Sequence, residues 1–96
     1  MREYESVIIL KPDLSEQEVS SVISKIENTI KNFGKVTVKN DLAIKKLVCE
    51  VKNYKEGRYI VFEFKIKEKY STEAICELER VYRIVDEIIK FIVVKK

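Results

Sequence analysis

Ninety-six residues, 46% hydrophobic and 36% charged, have the balance of one soluble globular domain spanning 1–96 and not of a disordered chain. Nineteen basic and sixteen acidic side chains leave a net charge of +3 and a sequence pI near 8.8, a mildly basic surface that alone argues only weakly for a nucleic-acid partner. Histidine is absent, which removes the commonest general base and the commonest zinc ligand together. No apolar run approaches the ~18 residues of a membrane span, and Met1-Arg2-Glu3-Tyr4-Glu5 lacks the basic-then-apolar order of a signal peptide.

Glu3–Leu10 alternates as a first strand, with Tyr4, Ser6, Ile8 and Leu10 on one face and Glu3, Glu5, Val7 and Ile9 on the other. Lys11-Pro12-Asp13-Leu14 turns the chain. Ser15-Glu16-Gln17-Glu18 then has the spacing of a capping box, in which the serine hydroxyl and the glutamate each satisfy a free helical N–H. Val19, Val22, Ile23, Ile26, Ile30 and Phe33 recur at three- and four-residue steps as one apolar helical face, and Gly34 follows where a left-handed C-cap is wanted.

Lys35 to Lys52 predicts one long strand with a kink or bulge near Asn40, and Asn53–Gly57 predicts a turn. Arg58–Lys67 alternates most cleanly, with Ile60, Phe62, Phe64 and Ile66 on one face and Tyr59, Val61, Glu63, Lys65 and Lys67 on the other. A second helix is expected from about Thr72 to Tyr82 with Ile75, Leu78 and Tyr82 inward, then a last strand from Ile88 to Val94. The order is βαββαβ. Right-handed crossovers place both helices on one side of a four-stranded antiparallel sheet, the α+β ferredoxin-like architecture. The other face stays bare, and Val7, Ile9, Tyr59 and Val61 among its charges suggest a partner surface. Cys49 in a strand and Cys76 in a helix are expected as reduced, buried or subsurface residues.

Catalytic patterns are missing: there is no phosphate-cradling glycine loop, no nucleophile elbow and no histidine for a triad. Enzyme activity, a metal and a cofactor are therefore not expected. The charge is unevenly placed. Residues 1–30 carry −3, residues 31–69 carry +6, and residues 70–96 are neutral. Lys45, Lys46, Lys52, Lys55 and Arg58 lie along one antiparallel pair, interleaved with Tyr54 and Tyr59. Lysines there protect an exposed sheet edge from aggregation, and the same cations near an RNA backbone gain affinity by counterion release. The related RNA-recognition motif needs aromatic rings on the bare face of the first and third strands. Only Tyr59 fits; Val61, Val7 and Ile9 stand where rings are wanted, so base stacking on the sheet is poorly supported.

From end to end the chain resembles the bacterial small-subunit ribosomal protein S6 family. The resemblance lies in Met1-Arg2-Glu3-Tyr4-Glu5, in Lys52-Asn53-Tyr54-Lys55-Glu56-Gly57-Arg58-Tyr59, in Glu77-Leu78-Glu79-Arg80, and in Asp86 through Lys95. The family's second strand commonly reads Trp-Gly-x-Arg-x-Leu-Ala-Tyr-Pro-Ile. Here it is Leu42-Ala43-Ile44-Lys45-Lys46-Leu47-Val48-Cys49-Glu50-Val51, so Leu47 matches, Lys45 keeps the charge, and Cys49 and Glu50 replace Tyr and Pro. Many relatives continue past the position of Lys96 in a charged tail.

The resemblance implies a structural component of the cytoplasmic ribosome. It would bind the central domain of small-subunit ribosomal RNA as a heterodimer with ribosomal protein S18, with no membrane and no small-molecule substrate. The candidate RNA-binding residues are Arg2, Lys45, Lys46, Lys52, Arg58, Lys90 and Lys95 on phosphates, with Tyr54 and Tyr59 on sugar, base or partner. Arg2, Lys90 and Lys95 are expected on neighbouring first and fourth strands, and the Lys45–Arg58 group on the opposite edge. The competing reading is a ferredoxin-like regulatory or oligomerisation module binding a small ligand or another RNA. It would want a glycine-rich strand–helix junction, which Lys11-Pro12-Asp13 is not.

Overall fold

In the computed structural model, which describes residues 1–96, strict alternation gives strands and 3.6-residue periodicity gives helices, in the expected order. The elements are β1 (Arg2–Leu10), α1 (Glu16–Lys31), β2 (Gly34–Val51), β3 (Tyr54–Ile66), a single 3-10 turn (Glu68–Tyr70), α2 (Ser71–Ile84) and β4 (Ile88–Lys95). The sheet is antiparallel throughout, in the order β2-β3-β1-β4, with both helices on one face, the ferredoxin-like arrangement.

The capping box forms as its spacing predicts: the Glu18 N–H donates to Ser15 Oγ at 3.1 Å, and the Ser15 N–H donates to Glu18 Oε1 at 3.2 Å. Val19, Val22, Ile26 and Ile30 of α1 are buried with Ile60, Phe62, Phe64 and Ile66 of β3, Ile8 and Leu10 of β1, and Ala74, Leu78, Val81 and Tyr82 of α2. Ile23, Phe33 and Ile75 pack at the margin of this core. One polar pair lies inside it. Ser6 Oγ and the Tyr82 hydroxyl are 2.7 Å apart, which satisfies both groups. Burial pushes the Tyr82 phenol well above its ordinary value, against the smaller opposing effect of the Ser6 hydrogen bond.

Three local expectations are corrected and one is met. Gly34 is not a left-handed cap, since no glycine has positive φ. It opens β2, where a Cβ would stand 1.9 Å from the Lys65 carbonyl oxygen, so what it supplies is close approach of two backbones. The kink or bulge expected near Asn40 is present, as a bulge between Asp41 and Ile44 with Ala43 at φ 65. The turn expected at Asn53–Gly57 sits at Lys52-Asn53, and Tyr54 already belongs to β3. Cys49 and Cys76 are both exposed free thiols. Cys49 lies near the hairpin tip beyond helical cover, and Cys76 is on the outer side of α2, whose inward positions are taken by Ala74, Leu78, Val81 and Tyr82.

Because Ile26 is fully buried at the centre of the α1 face, Ile26→Ala is expected to destabilise the fold by ~2–5 kcal/mol in equilibrium denaturation. A loss below about half a kcal/mol, well under that range, would place α1 on another face.

Candidate nucleic-acid interface

The two longest strands outrun the sheet. The pairing of β1 with β3 ends at Leu10 and Arg58, while β2 and β3 continue together through Lys45 opposite Gly57, Lys46 opposite Glu56 and Val51 opposite Tyr54. The result is an overhanging hairpin closed at Lys52-Asn53. Both turn residues have positive φ, 49 and 69, the backbone of a tight two-residue turn that follows the natural strand twist. Lys45, Lys46, Lys52 and Lys55 are all exposed, and none is ion-paired.

Arg58 has a different place. Its Nε donates to Asp41 Oδ1 at 3.2 Å and Oδ2 at 3.0 Å. Its Nη1 donates to Glu16 Oε1 at 2.8 Å, and its Nη2 donates to Glu16 Oε2 at 3.2 Å and also reaches Asp41 Oδ2. The side chain is only 17% exposed. The guanidinium thus ties the β2 bulge and the first turn of α1 to β3. It holds both carboxyls below their ordinary range, chiefly through these hydrogen bonds. Asp41 Oδ1 also accepts from the Ala43 N–H at 2.9 Å, which fixes the left-handed residue of the bulge. With its donors engaged by carboxylates, Arg58 is part of the frame under the hairpin.

The strand pairing divides the terminal candidates. Lys95 lies opposite Tyr4 and Lys90 opposite Ile9. Five residues of strand separate them, about 17 Å along the sheet, and they point to opposite faces. Arg2, exposed at the Lys95 end, pairs with Glu68 at 3.3 Å. Lys90 is at the hairpin end and on the bare face. The expected split between a terminal group and a hairpin group is therefore replaced by a split between the two ends of the sheet.

The bare face changes character along its length. Its far end carries Glu3, Glu5 and Glu63, with Lys65 and Lys96 paired to Glu3 and Glu63. Its middle is apolar: Val7, Val61 and Ile92 form one cross-strand row. At its near end Ile9 is only 7% exposed. Leu47, Val48, Cys49 and Val51 of the hairpin gather with Ile9, Tyr59 and Lys90 around a cleft of about 200 Å³. Gly57 makes room there, since a Cβ at that position would stand 2.3 Å from Ile9 Cγ2. Tyr59 lines this cleft and is half-buried, as is Tyr54 beside the turn. Arg83, in no candidate set, also comes to this end of the sheet, beside Lys52 and Lys90. Its only sequence signal was a basic residue in the last helical turn, which macrodipole complementarity already explains.

Comparison with known proteins points the same way. A family model described as ribosomal protein S6 matches residues 3–95. The small ribosomal subunit proteins bS6 of Campylobacter lari and Helicobacter pylori are each 40% identical to the chain over 96 residues. Each match takes in 99% of this chain, which spans 74% of the Campylobacter protein and 65% of the Helicobacter one. The fold is similar to the crystal structure of 30S ribosomal protein S6 from Thermotoga maritima, with a TM-score of 0.89, 28% identity, and coverage of 99% of this chain and 87% of that one. All three carry the name of a ribosomal protein and none that of an enzyme.

The hairpin base is testable in two ways. The folded-state pKa values of Asp41 and Glu16 are lowered, so the stability they contribute is present above their ordinary values of 3.8 and 4.5 and is lost as pH falls through the lowered ones. Asp41→Asn is therefore expected to lower the denaturation midpoint at pH 7, with the gap to the unsubstituted chain closing as pH falls below the ordinary 3.8 and through the lowered value. A gap independent of pH would mean the carboxylate charge contributes nothing. Ala43→Gly is expected to stabilise the fold by about 1 kcal/mol, because left-handed backbone is costly for alanine and free for glycine. Equilibrium denaturation measures this, and a destabilised variant would show the bulge to be unstrained.

Proposed function

The chain belongs to the ribosomal protein S6 family, and from that premise we propose that it binds the central domain of small-subunit ribosomal RNA together with ribosomal protein S18, as a structural component of the ribosome. The observation that carries this reading is the overhanging hairpin, where Lys45, Lys46, Lys52 and Lys55 project without a single carboxylate partner. Four cations without an ion pair, against Glu50 and Glu56 on the same two-stranded arm, suit a phosphate backbone, which yields affinity by counterion release and needs no base-specific groove. Lys90 adds to the hairpin end, and Tyr54 and Tyr59 offer ring surface to sugar or base there. Arg2 and Lys95 serve a separate stretch of RNA at the far end of the sheet. Arg58 is left out of the contact set, because Asp41 and Glu16 already occupy its donors.

The apolar middle of the bare face is the surface offered to S18. Ile92, about half exposed, lies there in line with Val7 and Val61, and Val94, equally exposed, follows on the same face opposite Glu5. Such a row is wasted on water and suits a protein partner. The strand–helix junction, Lys11-Pro12-Asp13-Leu14, has no glycine-rich turn for a small ligand, so the regulatory-module reading gains no support.

Contacts to phosphate position a protein without reading sequence. Reversing Lys45 and Lys46 to Glu is accordingly expected to weaken binding to a central-domain transcript and to flatten its salt dependence, by roughly 0.7–0.9 of a log unit for each phosphate no longer neutralised. Both side chains are exposed, so the circular dichroism spectrum and S18 pairing are expected to survive. A folded, S18-competent double variant with unchanged affinity and unchanged salt slope would remove the hairpin from the RNA site and leave its lysines as edge protection.

A further inference from the structure

At the hairpin end of the sheet, three elements distant in sequence bring cations to one cleft. Lys52 of the turn, Arg83 in the last turn of α2 and Lys90 of β4 line a space of about 320 Å³ whose apolar walls include Tyr82, Ile88 and Phe91. None of the seven lining side chains is acidic. The neighbouring acidic pair, Asp86 and Glu87, lines the groove between the two helices instead. None of the three cations is ion-paired.

The fold positions the backbone of all three, and a ring contact also steadies Arg83. The Arg83 guanidinium carbon lies 5.8 Å from the centre of the Phe91 ring, and Phe91 packs 5.1 Å from the ring of the buried Tyr82. Lys52 sits at φ 49 in a turn that leaves it little backbone freedom. Lys90 lies in the β4 ladder opposite Ile9. Gathering like charges costs Coulomb energy unless an anion shares the site. The far end of the same sheet avoids that cost by pairing Lys65 with Glu3 and Lys96 with Glu63. This end does not.

We propose that the cleft between the hairpin turn, the end of α2 and the start of β4 is a phosphate-binding site that takes a phosphodiester of the RNA strand, with Arg83 as its planar multi-donor contact and Lys52 and Lys90 as point charges beside it. The inference rests on the RNA-binding reading above and extends it to a residue and a cleft outside the hairpin lysines. A guanidinium presents several N–H donors in one plane, the geometry that matches two oxygens of one phosphate, whereas an ammonium offers charge without that match. Lys90 also lines the adjoining apolar cleft with Tyr59. Through Lys90 the cationic cleft thus adjoins the one that Tyr59 lines. The bland use of Arg83, complementing the negative end of α2 and covering Phe91, concerns stability alone and separates from the proposal by experiment.

The test uses the full chain with S18 present and a transcript of the central domain as the probe, with affinity measured across a salt series. Arg83→Gln, Lys52→Gln and Lys90→Gln are each expected to weaken binding several-fold and to reduce the slope of log affinity against log salt by roughly 0.7–0.9. Arg83→Lys is expected to restore the slope but not the full affinity. Lys52→Gln combined with Arg83→Gln is expected to lose less than the product of the single losses, since both act on one phosphate. Lys25→Gln, in the groove between the helices, is expected to leave binding unchanged. If Arg83→Gln only lowers the melting temperature and binds RNA with unchanged affinity and slope, the proposal is overturned and Arg83 is structural. Should Arg83→Gln fail to fold, Lys52→Gln and Lys90→Gln decide the matter, and unchanged slopes in both overturn it. When Lys45→Gln with Lys46→Gln weakens binding while the cleft variants do not, the cleft alone is wrong. When the unsubstituted chain shows no salt-dependent binding, the RNA reading itself has failed.

Discussion

Arg58 stands where the four-stranded sheet ends and the two-stranded hairpin begins. Its guanidinium joins β3 to the β2 bulge through Asp41 and to the first turn of α1 through Glu16. The Arg58 side chain is only 17% exposed and Asp41 35%, so their charge-assisted contact is less screened than an open surface pair, whereas Glu16, 84% exposed, closes the clamp from the solvent side. Beyond this point β2 and β3 have only each other for hydrogen-bond partners. The course of the arm is set at its base by this clamp, by the left-handed Ala43 that Asp41 caps, and by Gly57, which lets Ile9 lie against the strand. Every lysine of the arm inherits its position from those few contacts. A substitution at Arg58 would then displace the lysines of the arm without removing any of their charges.

One-sided helical cover has a second consequence. The core uses Ile60, Phe62, Phe64 and Ile66 on the helix side of β3, so the opposite side of the same strand is free to vary. It does so in sequence: acidic near Glu63, apolar at Val61, aromatic at Tyr59, and then Gly57 beneath the arm. The gradient gives one face two characters. An apolar middle suits a protein, and a cationic end suits phosphate. The lack of rings at Val7, Ile9 and Val61 closes off the stacking mode that similar sheets use for single strands. What remains is charge and shape.

Periodicity made most of this fold legible. Alternation in Tyr4–Leu10 and Ile60–Ile66, the three-and-four spacing from Val19 to Ile30, and the Ser15–Glu18 box each specify local structure by themselves, and the structure has all of them. The misses share a cause: they depend on what lies across space. Gly34 reads as a helix cap because it follows an apolar face, yet its constraint is the Lys65 carbonyl, thirty-odd residues away. Arg58 reads as one more cation in a basic run, and only the fold brings Asp41 and Glu16 to it. Lys52 and Lys90 read as belonging to opposite edges. That expectation holds for the strands and fails for the side chains, because the arm carries Lys52 past the end of β1 to the start of β4.

The departures of the second strand from the family pattern sort by environment in a way that supports the same picture. Cys49 and Glu50, in place of Tyr and Pro, fall near the tip, where both side chains are exposed. Solvent tolerates such exchanges, and surface substitutions of this kind rarely exceed about half a kcal/mol. Leu47 and Val51 keep apolar character where they line the cleft with Ile9 and Tyr59. Ala43 is the costly exception, a Cβ at a position whose φ of 65 favours glycine. Lys45, in place of Arg, keeps the charge of the arm but gives up planar two-donor recognition. With Arg58 held by carboxylates and Arg2 paired to Glu68, Arg83 is the guanidinium left unpaired by any carboxylate at the hairpin end, so the planar donor set that the second strand lacks is present there on the last turn of α2.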